Sequence, residues 1–101
     1  MSTLRPTKPS ERWLKQGEML TRLKSIHEAS NPGTWMGHYR SKLRHEFGFS
    51  ERSEQLSRQL WELWTFALDH GHREAAERLQ DRHPHVNDLV AALKLLKREV
   101  S

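Results

Sequence analysis

An all-α protein, a compact bundle of four main helices plus one short helix around a central helix at about residues 51–70, is predicted by three features of the sequence. Apolar residues recur at spacings of three and four through most of the chain, the period of a helix with one buried face. No segment alternates apolar and polar residues as a half-buried strand does. Proline or glycine stands near every expected boundary: Pro9, Pro32-Gly33, Gly48, Gly71 and Pro84.

Residues 1–9 carry two prolines, Arg5 and Lys8 and few apolar side chains, and are expected to form a flexible basic arm ahead of a single helical domain at 10–101. Ser10 is placed to cap a first helix running to about Ser30, with Trp13, Leu14, Met19, Leu20, Leu23 and Ile26 as its apolar positions. Gly17 either weakens that helix or admits a close neighbour. Asn31-Pro32-Gly33 stops it. Thr34 can cap a second helix whose stripe is Met36, Tyr39, Leu43 and Phe47, with Trp35 at the edge and Gly48 as C-terminal cap.

The central helix is apolar over about half its circumference. Leu56, Leu60, Leu63 and Ala67 share one line, Trp61, Trp64 and Leu68 continue it, and only Arg58, Glu62, Thr65 and Asp69 form a polar strip. A helix of this kind is packed on two sides. Gly71 ends it in a left-handed turn, and the small residues Ala75 and Ala76 let a short helix at 72–82 fold back closely. Pro84 opens the last helix, where Val86, Leu89, Leu93, Leu96 and Val100 make an uninterrupted seam widened by Val90 and Leu95.

Composition narrows the function. A chain of 101 residues without cysteine has neither a disulfide framework nor thiol chemistry and fits a reducing, cytoplasmic compartment. No apolar run reaches the roughly 20 residues of a membrane span, so no membrane partner is expected. The formal charge of +4 is uneven: residues 1–50 hold nine Lys/Arg against four Glu, and residues 51–101 hold eight against nine Asp/Glu.

Catalytic chemistry finds no support, because the chain has no phosphate loop, no nucleophile elbow and no H-E-x-x-H; His45-Glu46 lacks the second histidine. The pairs His70-Gly71-His72 and His83-Pro84-His85 attract a metal reading, but an intervening helix of eleven residues would hold them about 16 Å apart, beyond the reach of one ion. No metal and no cofactor are expected.

Two readings of function remain. The first is a small non-catalytic regulatory or adaptor protein that binds another protein through helical surfaces. Trp13, Trp35 and Trp61 are its anchors, because each stands at the edge of a stripe and tryptophan is enriched at interfaces. Leu93 and Leu96 mark a terminal helix suited to a symmetric homodimer. The alternative is a nucleic-acid-binding regulator that contacts phosphates through Arg5, Lys8, Arg12, Lys15, Arg40, Lys42 and Arg44. A helix-turn-helix centred on Gly71 fails, since Glu77 falls where its second helix needs a buried apolar residue.

Overall fold

The computed structural model describes residues 9–100, and every regular element among them is helical. Helix α1 is Pro9–Ser30; α2 covers residues 35–47; α3 is Glu51–Asp69; α4, the short one, is Arg73–Arg82; and α5 is Val86–Val100. None of the described helices is long and apolar enough to cross a membrane. Arg5, Lys8 and all but the last residue of the expected arm lie outside the described residues.

Helix α3 is the centre, lying along α1 on one side and α5 on another. Leu60 is fully buried, and Leu63 and Ala67 join Leu14, Ala76, Leu89, Val90 and Leu93 in the larger of two cores. Ser50 caps α3 by accepting the Ser53 N–H at 3.2 Å. At the other end Gly71 adopts φ +78°, the left-handed turn the sequence predicts. Gly17 admits the close approach of α3 to α1: a Cβ built there would stand 2.2 Å from the Ser57 carbonyl oxygen.

The second core joins α1 to α2 and to the loop before α3 through Leu20, Trp35, Tyr39 and Phe49. Trp13 packs against both cores, stacking on Phe49 with ring centroids 4.8 Å apart. Three polar contacts tie this corner to the central helix. The Trp35 indole N–H donates to Glu54 at 2.8 Å, the Tyr39 hydroxyl donates to the Phe49 carbonyl at 2.7 Å, and Ser57 donates to the Trp13 carbonyl at 2.8 Å. Glu54 is fully buried and also takes a two-pronged contact from Arg58 one turn later. Burial, and next the charge of Glu54, push the Tyr39 hydroxyl's pKa up.

Local expectations fail at four places. Pro9 belongs to α1, where its missing N–H leaves no helical bond unmade, and Ser10 is not a cap but a buried helical residue whose hydroxyl accepts from Gln80 at 2.9 Å. Thr34 makes no side-chain cap; its hydroxyl donates to the Asn31 carbonyl at 2.7 Å instead. Helix α2 widens into a π turn at Tyr39–Leu43, which shifts the register and turns Trp35 and Tyr39 to the core while Met36, Leu43 and Phe47 are half-buried. Pro84 lies ahead of α5 rather than in its first turn, which opens with the Leu89 N–H donating to the His85 carbonyl at 3.0 Å.

Candidate interaction groove

The seam of α5 points inward. Leu89, Val90 and Leu93 are buried against α3 and its neighbours, and Val86, Leu96 and Val100 are half-buried. Leu93, expected at a dimer interface, is only 2% exposed and is filled in by the chain's own core. Leu95 follows Leu93 by two residues, which carries it about 200° round the helix to the opposite side. It is 57% exposed.

Between α4 and α5 runs an open groove of about 450 Å³. Ala75 and Leu79 from α4 and Ala92 and Leu96 from α5 line it, and Leu95 forms its lip. The alanines leave the width, because a larger side chain at either position would fill it. Arg78, Arg82 and His83 stand on the α4 bank and Glu99 on the α5 bank. Of the two α5 residues predicted to meet a partner, Leu96 is therefore in the groove and Leu93 is beneath it. Leu95, Leu79 and the two arginines were not legible as site residues, although the 200° step from Leu93 to Leu95 was available to signal that both could not face one core.

The tryptophans divide. Trp35 is 2% exposed and committed to the Glu54 carboxylate, so a partner cannot reach it. Trp13 is half-buried under Phe49 and holds the two cores together. Trp61 is half-buried beside Gly17, and its outer side borders a shallow depression of about 400 Å³ with Arg22 and Ile26. Ile26 is 70% exposed and Met19 54%, so the outer face of α1 is a second apolar surface.

The basic residues are as exposed as a nucleic-acid interface needs: Arg12 and Lys15 on α1, and Arg40, Lys42 and Arg44 on α2. Arg40, however, is held by both oxygens of Glu51, at 2.5 and 3.0 Å. The hydrogen bond from Arg40 is the main cause that holds the Glu51 carboxyl below its usual pKa. One cation of the face is thus already matched. Arg44 and His45 border a wide depression of about 690 Å³ beside Ser50 at the start of α3.

The histidines are used locally. His27 and His38 stack at 4.2 Å, and His70 stacks on Phe66 at 4.0 Å while its Nδ1 meets the Phe66 carbonyl at 2.9 Å. Among the described residues no three His, Cys, Asp or Glu side chains converge as a metal site would require. Comparison with known proteins finds no matching family model, no similar curated protein and no similar solved structure.

Proposed function

We propose that this chain is a small non-catalytic regulatory or adaptor protein of the cytoplasm, acting by binding another protein through its helical surfaces, with the groove between α4 and α5 as the docking site. The observation that carries the reading is Leu95: a leucine 57% exposed on the lip of an apolar trough between two helices. A single exposed leucine is ordinary, but one continuous with Leu79, Leu96 and two alanines is a surface left open. Grooves between paired helices take the apolar face of a third helix.

Nucleic-acid binding is the second reading, favoured by the exposed Arg12, Lys15, Lys42 and Arg44 and weakened by the engagement of Arg40 with Glu51. Capture of partners from the native host, with and without nuclease, separates the two. A protein retained after nuclease treatment by the parent chain and lost on Leu95→Glu is the expected result. Retention abolished by nuclease and unaffected by Leu95→Glu would overturn the protein-binding reading in favour of the basic face.

A further inference from the structure

The banks of the groove carry charge in an uneven arrangement. Arg78 and Arg82 sit one turn apart on α4, both exposed. Among the described residues neither guanidinium meets a carboxylate; Arg78 makes only a long contact, 3.4 Å, to the Glu74 backbone carbonyl. The acids of α4, Glu74, Glu77 and Asp81, follow on the side of the helix away from Ala75 and Leu79. Opposite, the α5 bank offers one carboxylate, Glu99. The trough is therefore apolar along its floor, doubly cationic on one edge and singly anionic on the other.

On the reading that this groove docks a protein, we propose that its occupant is an amphipathic helix of another protein bearing carboxylates three or four residues apart along one flank. Residues at i and i+4 of a helix lie about 5–6 Å apart at Cβ, so Arg78 and Arg82 present two guanidiniums at the repeat of such a flank. Arginine binds carboxylate through two parallel hydrogen bonds, and partial exclusion of water by the apolar floor strengthens each contact. Leu95 and Leu96 meet the helix's apolar face, and Glu99 accepts a basic residue on its far flank.

A second copy of the chain fits less well. A two-fold axis between antiparallel α5 helices sets each flank against itself, bringing Asp88 and Glu99 toward their equivalents on one side and Lys94 and Arg98 toward theirs on the other. A phosphodiester backbone would match the arginines, but it has no use for the leucine floor and is repelled by Glu99.

The test uses the full chain and two designed 18-residue helical peptides with the same leucine face, one with glutamates and the other with lysines at every flanking position. Binding is measured by fluorescence polarisation for the parent and for Arg78→Gln/Arg82→Gln, which exchanges two exposed side chains and leaves the melting temperature unchanged. The glutamate peptide binds the parent roughly ten-fold more tightly than the lysine peptide, and the double variant loses that preference. A preference that survives the double variant overturns the proposal, since the chain's general positive charge would then account for it. Equal binding of both peptides that falls on Leu95→Glu also overturns it, while leaving the groove as a docking site. Failure of both peptides to bind at 100-fold excess over a micromolar chain overturns it too, and sedimentation of the chain alone as a dimer reassigns the groove to self-association.

Discussion

Replacing Gly17 with alanine sets two effects of opposite sign against each other. Gly17 lies inside a 22-residue helix, where alanine is intrinsically better by about 0.8–1.0 kcal/mol. Against that, the added methyl would stand 2.2 Å from the Ser57 carbonyl oxygen, 2.9 Å from its carbonyl carbon and 2.9 Å from the Trp61 Cβ. Normal contact requires more than 3 Å, so α1 and α3 must separate by about 1 Å along their tightest crossing. The obstacle is backbone, and no side-chain rotation relieves it. Overpacking a well-filled core costs typically 1–3 kcal/mol, and a backbone collision belongs at the top of that range or above. The balance is a net loss of about 2 kcal/mol, which for a chain of this size lowers the melting temperature by about 8–16 °C. Thermal unfolding followed by circular dichroism at 222 nm reads it directly. A variant as stable as the parent, or more stable, would mean that helix propensity governs this position and that the α1–α3 contact is looser than described.

Truncating the fully buried Leu60 to alanine costs about 2–5 kcal/mol in chemical denaturation, as expected for a cavity at the middle of the larger core. Arg58→Met leaves the buried Glu54 carboxylate with only the Trp35 N–H and destabilises by about 3 kcal/mol; adding Glu54→Met recovers much of the loss, and a double variant weaker than the single one would contradict this. Arg40→Gln raises the Glu51 pKa toward its ordinary value, measurable by carboxyl NMR titration. Because the folded pKa is depressed, the stabilisation from this contact is present above the ordinary glutamate range and disappears as pH falls through the lowered value, and the variant lacks that dependence.

The helical bundle was legible because hydrophobic period and helix stops agree along the chain: Leu60, Leu63 and Ala67 read as core and are core, and Gly71 reads as a left-handed stop and is one. What escaped the sequence depends on partners distant along the chain. Glu54 in the first turn of α3 reads as a solvated acid favoured by the helix dipole, yet Trp35, nineteen residues earlier, and Arg58 enclose it. Trp35 was misplaced at a surface because a regular 3.6-residue period was projected through a helix that contains a π turn. Ser10 looked like a cap, and only the fold brings Gln80, seventy residues away, to its hydroxyl. The site was legible in kind rather than in place. An apolar excess on the last helix was visible, but the inward residue Leu93 and the outward residue Leu95 could be told apart only once α3 was seen to cover one side.

Photo-crosslinking in the native host from single positions on the full chain tests the docking claim most directly. A photoreactive side chain at position 95 reports on the groove and one at position 44 on the basic face of α2. Both positions are exposed, so neither substitution disturbs the core. A discrete protein adduct from position 95, absent from position 44 and lost when Arg78 and Arg82 are replaced by glutamine, is the predicted result. Adducts to nucleic acid from position 44 with none from position 95 would contradict the account.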